Sequence, residues 1–127
     1  FSIGGNDSAY FKSKKDTCVQ ADKYGKNLEK LIHTAREFSD KIVFLEIIPV
    51  DETRTTPLPW HTDAYCYNEN INKFNSIIRK VCDENSIPVI RQFDAWMKTD
   101  YKRLLDDGVH PNTKGHEMIY ESVKDFL

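Results

Sequence analysis

The sequence predicts an α/β fold: a three-layer α/β/α, doubly wound parallel sheet. Three observations predict it. Strand and helix patterns alternate along the 127 residues, in the order strand, helix, strand, helix, strand, helix. Alternation of that kind calls for parallel strands joined by right-handed helical crossovers. The middle strand, Lys41 to Ile48, is a nearly continuous apolar run rich in β-branched residues, the pattern of a strand covered on both faces. The helical stretches carry apolar residues at helical spacing, so each has one face to turn toward a core.

Taken in order, Phe1-Ser2-Ile3 reads as the end of a buried strand that runs straight into the turn Gly4-Gly5-Asn6-Asp7. A core strand needs neighbours on both sides for its backbone groups. Neither an initiator Met nor a signal-peptide pattern precedes it. The expectation is a single domain, residues 1–127, truncated at its N-terminus with the first strands missing. Tyr10 to about Val19 is a polar, lysine-rich loop. Tyr24, Leu28, Leu31, Ile32, Ala35 and Phe38 then form the apolar face of a first helix. Pro49 ends the middle strand. Residues 49–68 form a long irregular segment with Pro57, Pro59, Trp60, Tyr65 and Tyr67, and loops of such length tend to be functional or disordered. Ile71, Phe74, Ile77, Ile78, Val81 and Cys82 mark a second helix, and Ile87-Pro88-Val89-Ile90 a short strand. Residues 95–105 suit one or two helical turns. The polar loop 106–112 leads to a last helix from about Thr113, with Ile119, Tyr120, Val123, Phe126 and Leu127 as its core face.

Bulk properties narrow the function classes. A formal net charge of -2 gives no electrostatic reason to expect nucleic acid or an anionic membrane as partner. No apolar run approaches the roughly 20 residues that span a bilayer; the longest, Ile42 to Val50, is broken by Glu46 and Pro49. Cys18, Cys66 and Cys82 are odd in number and lack CxxC spacing. That argues against a disulfide framework and fits a reducing, cytoplasmic compartment.

The strongest chemical signal is Asp107-Gly108-Val109-His110, followed by Pro111, just before a helix. A carboxylate three residues ahead of an imidazole, across a Gly-containing turn, can fix the Nδ1 proton and leave Nε2 outward as a general base. The same residues also suit a plain turn, with Asn112 or Thr113 as helix cap. Gly4-Gly5-Asn6-Asp7 follows a strand end, where the Asn6 amide can donate to an oxyanion while the glycines let the backbone turn sharply. Asn-Asp after Gly-Gly is good turn chemistry as well. In open α/β sheets ligands bind beyond the carboxyl ends of the strands, and both motifs are expected at that edge.

Together the two motifs resemble the SGNH, or GDSL-type, hydrolases, which carry Gly-x-Asn-Asp after their third strand and Asp-x-x-His before their last helix. Pro111, Gly115-His116 and a strand ending in Ile48-Pro49 extend the likeness over the whole chain. The resemblance implies a flavodoxin-like sheet and a serine hydrolase of short acyl esters. In it Asn6 is an oxyanion donor, His110 the general base and Asp107 its orienting carboxylate, and no cofactor is required. Gly5 and Trp60 are the expected substrate contacts. The family's nucleophile stands in a Gly-Asp-Ser block upstream of Gly-x-Asn-Asp, and no such block occurs in these residues. Ser8 is the one serine near the site, and Cys66 lies in the aromatic loop; both are weaker candidates.

Other readings remain open. Asp107, His110 and His116 could be metal ligands, although no HExxH or Cys/His pairing supports a metal, and none is expected. Trp60, Tyr65, Tyr67 and Trp96 could line an acyl or alcohol pocket, or could pin the loop. His33 and His61 read as solvated, Cys82 as core, and Glu69 and Asp94 receive no role. A degenerate hydrolase fold acting as a binding module is the alternative to an enzyme. The expected partner is a small-molecule ester. Self-association, or docking of a missing N-terminal segment, is expected through the exposed edge and apolar faces of residues 1–4.

Overall fold

The computed structural model describes residues 1–124 and 126. Along the chain come α1 (Gly5–Ser8), β1 (Tyr10–Phe11), β2 (Asp16–Thr17), α2 (Ala21–Arg36), β3 (Phe44–Leu45), α3 (Glu52–Thr55), β4 (Ala64–Tyr65), α4 (Asn68–Glu84), β5 (Val89–Ile90) and α5 (Phe93–Met97), then a 3-10 turn (Tyr101–Leu104) and α6 (Thr113–Lys124). β3 and β5 pair in parallel, Phe44 with Val89 and Leu45 with Ile90. Ser2 bridges Leu45 in parallel from the other side, which places β3 in the middle. The α/β class read from the sequence holds, and β3 and β5 are parallel as expected, while the first expected strand is reduced to the single Ser2 bridge.

The regular ladder is shorter than the apolar run Lys41–Ile48 suggested. Past Leu45 the strand direction is kept by Glu46, whose N–H donates to the Ile90 carbonyl at 3.1 Å, and then by side chains. The buried Asn75 amide accepts from Ile47 N–H at 2.8 Å and donates to the Ile47 carbonyl at 2.9 Å. Asn68 does the same for Val50, at 2.8 and 2.9 Å. A buried backbone group needs a partner, and here two amides on α4 take the place of a neighbouring strand. Full cover on both faces is also corrected. Phe44 and Glu46 are buried, whereas Leu45, Ile47 and Ile48 are half-buried.

The main core lies between the parallel strands and the paired helices α2 and α4. Tyr24, Leu28 and Ile32 meet Phe44, Phe74, Ile78, Val81, Cys82 and Ile87. Leu31, Ala35 and Ile77 are half-buried at its margin, as the helical spacing predicts. Phe38 departs from that face and is 83% exposed, because α2 ends at Arg36 and the apolar stripe ends with it. A second cluster joins Ala9, Val50, Leu58, Ala64, Cys66, Ile71 and Phe93, with Phe11 and Val109 against it.

Both segments read as loops contain structure. Tyr10–Val19 holds a hairpin, β1 with β2, and β4 from the long segment adds to β1, giving a three-stranded antiparallel sheet in the order β2-β1-β4. α3 lies in the long segment too. The helical turns expected over 95–105 come as α5 and the 3-10 turn. α6 begins where the sequence put it, but its expected core face is only partly covered. Ile119 and Val123 are half-buried, Tyr120 and Phe126 are exposed, and Leu127 lies outside the described residues. The helix docks through its first turn, where a Cβ on Gly115 would stand 2.5 Å from the Leu104 carbonyl and 3.2 Å from Trp96. Later turns meet less protein. Phe1 and Ile3 are exposed as well, apolar surface on which the expected self-association would draw.

Candidate active site

The turn 107–110 is built around Gly108, at φ +95. A Cβ there would lie 3.0 Å from Arg54 Cβ and 3.2 Å from Thr55 Cγ2, so the left-handed backbone favours glycine and its neighbours leave little room for more. Its shape lets one carboxylate serve three donors. Asp107 Oδ1 accepts from Val109 N–H at 2.9 Å and His110 N–H at 2.8 Å. Asp107 Oδ2 lies 2.7 Å from His110 Nδ1. An ionised carboxylate can only accept, so Nδ1 carries the proton and Nε2 is the basic lone pair, without a partner among the described residues. The turn closes through Asp106 N–H to the His110 carbonyl at 2.8 Å and a bridge between Leu105 and Pro111. Helix capping falls to Asn112, whose Oδ1 accepts from Gly115 N–H at 3.1 Å. That leaves Asp107 free for the imidazole.

Partial burial pushes the Asp107 carboxyl up. The His110 backbone N–H, the His110 ring, the Val109 N–H and the imidazole's charge together outweigh it and take the carboxyl down to about 2. Asp107 therefore stays ionised wherever His110 can act as a base, the condition for orienting an imidazole and stabilising its protonated form.

Asn6 lies in the single turn α1, exposed, and its side chain makes no hydrogen bond among the described residues. Gly4 ahead of it has φ +108, and a Cβ there would sit 2.3 Å from the Tyr24 hydroxyl and 2.9 Å from Ile47 Cδ1. The positive φ fits the sharp turn that the Gly-Gly pair predicts, and the close approach of Tyr24 and Ile47 adds a second reason for glycine. Gly5 is exposed, and a Cβ on it would meet nothing nearer than Ile47 Cγ2 at 3.9 Å, so its surface is open. α1 and the 107–110 turn share one underlayer: Ala9 belongs to the second core cluster, and Val109 packs against it. The loop after β3 supplies Val50 to that cluster and Asp51 N–H to the Gly108 carbonyl at 2.8 Å. No hydrogen bond joins Asn6 to His110 among the described residues. Both side chains are exposed to solvent.

The aromatic residues of the predicted pocket separate. Trp60, 54% exposed, stands at the tip of a tight turn closed by His61 N–H to the Leu58 carbonyl at 3.2 Å. Its ring lies 6.1 Å from that of His110, tilted by 30°. Tyr65 and Tyr67 stack on each other at 6.1 Å, and Tyr67 also meets Tyr10 of β1 at 6.4 Å. Trp96 is a correction: it is 1% exposed and fills space under α6, so it lines no pocket.

Ser8 is buried, and its hydroxyl donates to the Gly5 carbonyl at 2.8 Å, a role in closing α1. Burial pushes the Cys66 thiol up to about 11, far from a thiolate nucleophile. Cys82, buried in the core, is pushed up to about 11 as well. All three cysteines are free. His33, His61 and His116 are exposed. Among the described residues no group of three His, Cys, Asp or Glu side chains is placed to hold a metal ion, and no helix is long and apolar enough to cross a membrane.

Sequence reading missed the residues that hold the site from behind. Arg54 Nη2 donates to the Asp106 carbonyl at 2.9 Å. Asp51, buried, accepts from Thr53 N–H at 3.2 Å and from Thr53 Oγ1 at 2.7 Å, and pairs with Lys102 at 3.2 Å. Asp51-Glu52-Thr53 is a helix-start signal that could have revealed the short helix. The contact of that helix with residues 106–108, more than 50 positions away, leaves no local trace.

Comparison with known proteins bears on the family and the fold. The sequence profile of the GDSL-like Lipase/Acylhydrolase family matches residues 1–118. The chain superposes on a lipase/acylhydrolase from Enterococcus faecalis with a TM-score of 0.79 at 20% identity, covering 98% of this chain and 57% of that one. A GDSL-like lipase from Bacteroides thetaiotaomicron gives 0.74 at 19% identity, covering 98% and 58%. A variant of an acetyl-xylooligosaccharide esterase from Geobacillus gives 0.69 at 18%, covering 97% and 56%. At these identities the likeness is one of fold, and the chain spans a little over half the length of each structure. No curated protein matches it. The sequence profile, covering nearly the whole chain, decides the family: the chain belongs to the GDSL-like lipase/acylhydrolases.

Proposed function

We propose that this chain supplies the general base, its orienting carboxylate and an oxyanion donor to a serine ester hydrolase that cleaves short acyl esters. The observation that carries the reading is the Asp107–His110 contact at 2.7 Å, with Nε2 of the imidazole left open. A serine hydroxyl attacks the ester carbonyl, and its proton passes to His110 Nε2. The tetrahedral oxyanion accepts a hydrogen bond from the Asn6 amide. As the intermediate collapses, His110 gives the proton to the leaving alcohol oxygen; water then repeats the sequence on the acyl-enzyme. The leaving alcohol must lie beside the imidazole that protonates it, which puts it against Trp60. Gly5, with its open surface, borders the carbonyl beside Asn6.

The nucleophile in this reading comes from outside residues 1–127. Ser8 is buried in a structural bond, and Cys66 is buried with its thiol held protonated. The preference for short acyl groups draws on the fold's likeness to an acetyl-xylooligosaccharide esterase and to an acetyl xylan esterase. The test is p-nitrophenyl acetate hydrolysis by a longer chain, or by this chain complemented with an upstream Gly-Asp-Ser fragment. Turnover should appear on complementation and fall by about 10⁴-fold or more in His110→Ala. The reading fails if the complemented protein hydrolyses no short ester. It also fails if the 127-residue chain alone turns over at an enzymatic rate that His110→Ala abolishes, since the nucleophile would then lie within the chain.

A further inference from the structure

The Asp107–His110 turn is gripped from behind by α3. The backbone N–H of Asp51, at the start of α3, donates to the Gly108 carbonyl at 2.8 Å. Three residues on, Arg54 Nη2 donates to the Asp106 carbonyl at 2.9 Å. The two bonds straddle Asp107, one tying the residue before it and one the residue after. Between them the Arg54 stem lies close to Gly108, where an added Cβ would stand 3.0 Å from Arg54 Cβ. The grip is itself anchored. Asp51 is held by Thr53 and Lys102, and the far end of α3 by the Thr55 hydroxyl donating to the Cys66 carbonyl at 3.0 Å.

We infer that Arg54 is a positioning residue for the Asp107–His110 pair, fixing the Asp106 carbonyl so that one carboxylate meets two backbone N–H groups and the imidazole at once. The Asp106 carbonyl belongs to the same rigid peptide plane as the Asp107 nitrogen. Holding that plane fixes where the Asp107 nitrogen and Cα sit, and with the Gly108 carbonyl also held it narrows the directions open to the Asp107 side chain. Asp106 N–H in turn donates to the His110 carbonyl, so a shift of residue 106 is felt at both ends of the turn. Arg54 is exposed, so water competes for its bond to the Asp106 carbonyl and the net contribution to global stability is modest. Its effect is therefore on orientation. The consequence for catalysis rests on the function proposed above, while the effect on the turn does not.

The test uses the 127-residue chain, isotope-labelled, following the Asp107 carboxyl carbon through acid titration and amide exchange at Val109 and His110. Arg54→Met keeps the stem against Gly108 and removes the donor. Its Asp107 midpoint should rise by about half to one pH unit from the value near 2, and both amides should exchange about five- to tenfold faster. Measurement in high salt, where the Debye length falls to a few ångströms, removes the contribution of a lost distant charge. Arg54→Lys, which keeps a donor, should return most of both effects. Near-ultraviolet dichroism of the buried Trp96 reports that the fold is intact. An Arg54→Met chain that titrates and exchanges as the parent does would overturn the inference. In the complemented hydrolase Arg54→Met should lower kcat about tenfold with KM little changed, and an unchanged kcat would refute the catalytic part. If complementation yields no esterase at all, the functional reading falls while the titration still decides the role of Arg54.

Discussion

Asp107 shows how one residue couples stability to pH. Its three hydrogen bonds favour the ionised form, so its folded value, about 2, lies below the ordinary 3.8. A depressed acid stabilises the fold above its unfolded pKa and loses that contribution as pH falls through the folded one. The window here runs from about pH 4 down to about pH 2. The side chain is 38% exposed, so screening reduces the contribution to about 1 kcal/mol or less. Urea unfolding of the wild type and of Asp107→Asn should therefore differ at pH 6 and converge near pH 2. A gap that persists at pH 2 would mean that the substitution acts by some route other than the carboxylate's charge. At the same scale Gly4 and Gly108 were legible as turn residues, because positive φ leaves a mark on composition. Arg54 was not, since an arginine in a loop has no such mark.

At the scale of elements, helices were easier to read than strands. α2 and α4 announce themselves by spacing, because one helix face meets the core whatever lies beyond it. β1, β2 and β4 are two residues long each, too short for a period of two to register. The continuation of β3 depends on Asn75 and Asn68, whose amides bracket Ile47 and Val50. Asn75 is fully buried, and its removal orphans a buried N–H and C=O. Asn75→Leu should then cost about 2–4 kcal/mol, read as a lower urea midpoint at unchanged m-value. Asn75→Asp, which keeps the acceptor and loses the donor, tests the same bracket. A cost below about 0.5 kcal/mol for Asn75→Leu would show that water or a shifted backbone replaces it.

At the scale of the whole molecule a buried carboxylate joins distant elements. Glu46, 2% exposed, pairs with Arg79 of α4 and accepts from Gln92 and Phe93 N–H at 3.0 Å each. One carboxylate thus joins β3, α4 and the start of α5. Arg79→Met leaves that charge buried with a partner lost and should cost about 3–5 kcal/mol. The double substitution with Glu46→Gln should be less destabilised than additivity predicts. Equilibrium unfolding of the three variants checks this; full additivity would mean that the pair is not coupled. In the sequence Glu46 is only an interruption of an apolar run, since nothing local names Arg79, 33 residues on, as its partner.

From the sequence alone the α/β class, the two long helices and the turn glycines could be read, and Asp107–His110 stood as a candidate pair beside a plain-turn reading. These depend on contacts within a few residues, or on a periodicity that any core would demand. The tertiary structure decided the rest. It buried Trp96 beneath α6 and left Trp60 open beside His110. It exposed Phe38 and Tyr120, gave Asn75 and Asn68 the work of a strand, and set Arg54 behind the 106–108 backbone. Each outcome depends on which distant surface arrives opposite a side chain. That is a property of chain crossing and packing, and residue type and spacing do not carry it.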